Sequence, residues 1–190
     1  MTGEIDFTDS SGLIPDKTVA TLLTRIKFCD TGPEGVLKPT KAGDAFGLDV
    51  EYVLLDGPYA KQKMFAFVMV TGATDGQKSM AERNKAMLKA VLDSAFFLDP
   101  HDVSPEARKR RTVHWRDFDG LKFLAEIGTE QGRDGYADKN VVARVITRDM
   151  PAWGGRAPIE QSSSPNGGGP SAAPGSAPQA APIARPCWAQ

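Results

Sequence analysis

The chain has few of the residues that carry most enzyme chemistry. Its 190 residues include two histidines and two cysteines. Cys29 and Cys187 show neither a CxxC metal pattern nor a disulfide framework. His101 and His114 lie near Asp99, Asp102, Asp117 and Asp119, but their spacing matches no H-x-x-x-H or HExxH ligand pattern, so they read as solvated loop residues. The stretch GATDGQKS at 72–79 has Gln77 where a phosphate loop needs a glycine before its lysine, so its backbone would not wrap a phosphate. There is no GxSxG. No catalytic residues, metal ligands or cofactor motif emerge, and the expectation is a protein that is not an enzyme.

Long apolar runs are also missing. None approaches the ~18 residues of a membrane span, and the acidic start MTGEIDFTDSSG has no apolar h-region, so no signal peptide is expected. These absences imply a soluble protein of a reducing cytoplasm with no membrane partner. Nor is there an excess of either charge: 23 Lys and Arg face 24 Asp and Glu, a net charge of −1. The acids of the first 16 residues (Glu4, Asp6, Asp9, Asp16) meet no base, and the stretch 17–150 is close to balanced. Any basic binding surface must therefore be local.

What is present has the composition of a globular core, 41% hydrophobic and 25% charged. Three units follow: an acidic flexible N-terminus (1–16), a domain (17–150) and a tail (151–190) dominated by Pro, Gly, Ser and Ala. The tail cannot bury enough surface to offset its ordering entropy and is expected to be disordered. It ends in Arg-Pro-Cys-Trp, where Arg185 and Trp188 read as an anchor for a partner's pocket at the end of a tether.

Within the domain, Thr18–Phe28 alternates, with Ala20, Leu22, Ile26 and Phe28 on one face and Lys17, Arg25 and Lys27 on the other. Phe46–Leu55 alternates again, with Leu48, Val50, Tyr52 and Leu54 inward. Lys63–Val70 is an almost continuous apolar run, as in a strand buried on both faces. Lys78–Phe97 switches to helical spacing through Met80, Met87, Leu88, Val91, Leu92 and Ala95. A short cationic helix (ARKRR) is expected after Ser104, with Pro105 at its first position. Leu121–Thr129 and Asn140–Arg148 then form a hairpin around GRDGYADKN. The expectation is a mainly β domain with one main helix: a five-stranded barrel with the helix between strands 3 and 4, as in the oligonucleotide/oligosaccharide-binding (OB) fold, with a β-sandwich as the alternative.

Basic and aromatic residues gather where such a barrel would grip a strand. Arg25 and Lys27 lie on the first strand, Lys38 and Lys41 in the first loop, and Lys61 and Lys63 at the next turn. Arg133, Lys139, Arg144 and Arg148 decorate the last hairpin. Tyr59, Phe65, Trp115 and Tyr136 are candidate stacking platforms, each stacked base contributing roughly 1–3 kcal/mol. Asp49 and Glu51 on the same faces argue instead for an ordinary solvated sheet.

The segments EYVLLDGPYAKQKMF, NKAMLKAVLDSA and DGLKFLAEIGTEQGRDGYADKNVVARVIT resemble a family of bacteriophage and prophage proteins over about 17–149. The resemblance rests on Gly57, Tyr59 and Lys61 in the first turn, Asn84 in the helix, and Gly135, Tyr136, Lys139 and Asn140 in the hairpin. Members are small OB-like proteins encoded beside replication and recombination genes and regarded as binders of single-stranded DNA. The resemblance implies a sequence-independent single-strand binder in a bacterial host cell; with the basic and aromatic residues above, the expected DNA contacts are Arg25, Lys27, Tyr59, Lys61, Lys63, Phe65, Arg133, Tyr136, Lys139 and Arg144. The tail would recruit a replication or recombination protein. A second reading makes the barrel an inert scaffold and the tail the working part. Self-association, site size and DNA-versus-RNA preference stay open.

Overall fold

A computed structural model describes residues 12–30, 32–132 and 136–161. Six strands form one antiparallel sheet: β1 (Thr18–Ile26), β2 (Lys38–Pro39), β3 (Ala45–Leu54), β4 (Lys63–Gly72), β5 (Lys122–Glu130) and β6 (Lys139–Ile146). The helices are α1 (Asp75–Ala95) and α2 (Pro105–Arg111). β4 pairs with one edge of β3, whose other edge pairs with β1 and, further along, with the short β2. β1 pairs on its far side with β5, and β5 with β6.

The sheet is open: among the described residues no ladder joins β4 to β6. A closed five-stranded barrel with its helix after the third strand is therefore not what forms. The loop after β1 contributes the extra two-residue β2, so α1 follows the fourth strand.

Alternation decides what each strand buries. Ala20, Leu22 and Ile26 of β1 and Leu48, Val50, Tyr52 and Leu54 of β3 pack inward with Phe123, Ala125 and Ile127 of β5. α1 closes this core with Leu88, Val91, Leu92 and Ala95. Its start is set by Thr74, whose hydroxyl accepts from the Gln77 N–H while the Gln77 side chain accepts from the Thr74 N–H, a capping box. GATDGQKS is thus a strand-to-helix turn. α2 begins after Ser104, whose side chain accepts from the Ala107 N–H. It is pinned by Arg111, whose Nε donates to Asp93 at 2.6 Å, with Lys89 on the other oxygen of that buried carboxylate at 2.7 Å. One member of the ARKRR run is thereby structural.

Four side chains depart from the periodicity. Phe28 is 44% exposed because β1 ends at Ile26. Met80 lies on the open side of α1. β4 is buried on one face only, with Met64, Val68 and Val70 inward and Phe65 and Phe67 in solvent.

The structure described also passes the boundary expected at 150. Trp153 is buried against Leu124 and Ile146, its ring 5.6 Å from that of Phe97, and its Nε1 donates to the Arg156 carbonyl. Met150 and Ile159 complete this second cluster on the outer side of the sheet. The Gln161 side chain accepts from the Lys122 N–H and donates to the Lys122 and Ala95 carbonyls. Residues 151–161 are a strap on the domain, while the rest of the tail, with Arg185 and Trp188, lies outside the described residues. Trp153→Ala should cost about 3–5 kcal/mol of stability, read as a lower urea midpoint.

Candidate nucleic-acid interface

The strap covers the outer side of the sheet over β1, β5 and β6 and leaves β3 and β4 open. On that open face, Phe65 is 55% and Phe67 42% exposed. They stand at alternate positions of β4, opposite Glu51 and Asp49 of β3. The Lys27 ammonium lies 4.8 Å from the centre of the Phe65 ring, and Arg25 is exposed opposite Glu51. Lys63 reaches Glu51 at 3.1 Å, and Lys38 reaches Asp49 at 2.7 Å. The face is thus two accessible rings in a mixed-charge frame.

Gly47 helps to set this surface. A side chain there would meet the Val68 carbonyl oxygen at 2.7 Å, the tip of the Phe67 ring at 2.8 Å and the Met69 Cα at 2.9 Å. Its missing Cβ lets β4 and the Phe67 ring close over β3, beside the register shift between Phe46 and Gly47. Where the chain leaves β1, at the Gly47 end of β3, the Arg116 guanidinium lies 5.4 Å from the centre of the exposed Phe28 ring.

Beside Phe65 and Phe67 the unpaired edges of β4 and β6 flank a groove of about 220 Å³. Met64, Val68, Met87 and Val142 line it with Lys139 and Asn140. Tyr52 also lines it, and burial pushes its hydroxyl pKa well above the ordinary tyrosine value. Asn84 of α1 donates to the Met69 carbonyl at 2.9 Å, tying the helix to β4.

The hairpin rises from this groove. Lys139 is ion-paired with Glu130 at 3.0 Å, and Tyr136 is 81% exposed. The Gly132 N–H donates to Asp138 at 2.9 Å, and a Cβ on Gly132 would collide with the Tyr136 carbonyl oxygen. Arg133 and Gly135 lie outside the described residues.

Asn140 is a clamp. Its Oδ1 accepts from the Ile14 N–H at 2.7 Å and its Nδ2 donates to the Ile14 carbonyl at 2.8 Å. It holds the N-terminal segment against the base of the hairpin.

The sequence candidates separate into those near the open face and those away from it. Phe65, Lys27, Arg25, Lys63 and Lys139 lie on or beside it. Lys61 is exposed in the β3–β4 turn at a φ of 74°, and Tyr59 in the same turn packs against the core. Trp115 likewise packs against the core and stacks on Phe118. Arg144 pairs with Glu126 at 2.7 Å, on the β5–β6 half of the sheet. Arg148 lies over the Phe97 ring.

Alternation puts Phe28 on the face of Ala20, Leu22 and Ile26, yet its ring is exposed, and Phe67 and Gly47 carry no motif that marks them. The signal for Phe67 was present: Lys63, Phe65 and Phe67 recur every second residue, so they share one face.

His114 accepts from the Arg116 N–H and contacts Glu34 at 3.0 Å, and Asp117 accepts from the His114 N–H. Asp119 accepts from the Ile26 N–H, and Asp99 and Asp102 accept from the N–H groups of His101 and Ser104. These groups serve turns and caps. Among the described residues no three His, Cys, Asp or Glu are grouped to hold a metal, and no helix is long and apolar enough to cross a membrane.

No family model matches the chain, and comparison with curated proteins gives no match.

Asn140→Ala strands two backbone groups of Ile14 and should cost about 1–3 kcal/mol. Urea unfolding checks the stability loss, and limited proteolysis should show faster cleavage near residue 14.

Proposed function

We propose that this chain binds single-stranded DNA across the outer face of β3 and β4, between the first loop and the β5–β6 hairpin. The observation that carries the reading is the pair Phe65 and Phe67, held in solvent on a sheet face flanked by Lys27, Arg25 and Lys63. Surface aromatics with cations beside them are what unpaired bases stack on, and stacking tolerates any sequence because every base has a π-face.

The connectivity supports the same reading. With the two-residue β2 set aside, a three-strand meander, a helix and a closing hairpin follow the order of an OB-like barrel with its β4–β6 seam open. In that fold the second and third strands and the flanking loops are the usual binding surface. The resemblance to phage and prophage single-strand binders points to a role in phage replication or recombination. Tyr136 at the hairpin extends the track, and Lys139 and Lys61 supply phosphate contacts.

Fluorescence anisotropy with labelled oligo(dT) and a matched duplex tests this. The single strand should bind more tightly, with log K falling by about 0.7 per phosphate contacted for each decade of salt. Phe65→Ala and Phe67→Ala should each cost about 1–3 kcal/mol of binding without lowering the melting temperature. No binding to oligo(dT) at low salt overturns the proposal.

A further inference from the structure

The segment that precedes the described chain has the sequence MTGEIDFTDSS at 1–11. Glu4, Asp6 and Asp9 interleave with Ile5 and Phe7, and no base is present. In an extended backbone Ile5 and Phe7 point to one side and Glu4 and Asp6 to the other.

The place where this segment joins the domain is fixed. Ile14 is buried and held at both backbone groups by Asn140, and Asn140 lines the groove between β4 and β6. Phe7 is five residues from Gly12, a reach of at most ~17 Å. The acidic segment is thus tethered at the mouth of a groove with an apolar floor. Lys139 stands on its rim with its ion-pair partner Glu130, and Lys27 stands over the Phe65 ring that borders it. Both flanking strand edges lack a ladder partner among the described residues, which is the setting for adding an extended peptide.

We propose that residues 4–9 of this chain dock in the groove between β4 and β6 as an extended acidic–aromatic peptide. Ile5 and Phe7 meet the apolar floor, and Glu4 and Asp6 face Lys139 and Lys27. Resting on the single-strand reading above, the segment then competes with DNA, its carboxylates standing where phosphates would and Phe7 where a base would. A short tether gives an effective concentration of order millimolar, so a weak contact is enough to occupy the groove. A rival site is the groove between α1 and α2, where Lys85, Lys89 and Arg111 surround Leu88, Trp115 and Phe118. It has the same sign of charge but no comparable tether.

Two measurements on the full chain test this. A benzophenone amino acid in place of Phe7 should cross-link within one molecule to residues 63–70 or 139–143. Cross-links confined to the α1–α2 groove, to a second molecule, or to no site overturn the docking. In the second, the triple variant E4Q/D6N/D9N should bind oligo(dT) about three- to tenfold more tightly at low salt. Unchanged affinity in a protein that binds oligo(dT) overturns the competition. If neither protein binds oligo(dT), the single-strand reading falls, and the cross-links alone decide the docking.

Discussion

A strand sends its side chains to two sides, and this sheet has one long helix and one short strap to cover them. The helix goes to the inner side, where Leu88 and Leu92 seal the core. The strap, anchored by Trp153, covers the outer side of β1, β5 and β6. Nothing among the described residues remains for β3 and β4. Phe65 and Phe67 stay in water, each forgoing part of the roughly 1.5–3 kcal/mol that burying such a side chain contributes.

The electrostatics of the open face are mixed. Asp49 and Glu51 engage Lys38 and Lys63, so a polyanion would have to compete with fixed carboxylates for those ammonium groups. Lys27 sits over a ring instead of a carboxylate, which leaves its charge able to act with the aromatic surface. Such a surface favours ligands that bring stacking area as well as charge. A polyanion without bases would meet much weaker attraction.

Much of the fold was legible in the sequence. The alternation of Leu48, Val50, Tyr52 and Leu54 gave β3 and its inner face, and the spacing of Leu88, Val91 and Leu92 gave α1. Ser104 and Pro105 marked the start of α2. The unread parts depend on partners distant in sequence. MFAFVMV looks doubly buried because periodicity counts apolar residues and cannot show that no layer covers one side. Trp153 sits in a Pro- and Gly-rich stretch, so its burial depends on Leu124 and Ile146, which only the folded sheet brings to it. Asn140 was noted as part of a hairpin motif, but its bond to Ile14 spans most of the chain.

Gln161 has a consequence for how the two ends of the chain are arranged. Its amide grips Lys122 at the first residue of β5, whereas Asn140 grips Ile14 near the last. Asn140 pairs with Thr129, so the two points are seven residue steps apart along β5, about 24 Å at the rise of an antiparallel strand. Ile14 is thus held at the hairpin pole of the domain and Gln161 at the opposite pole.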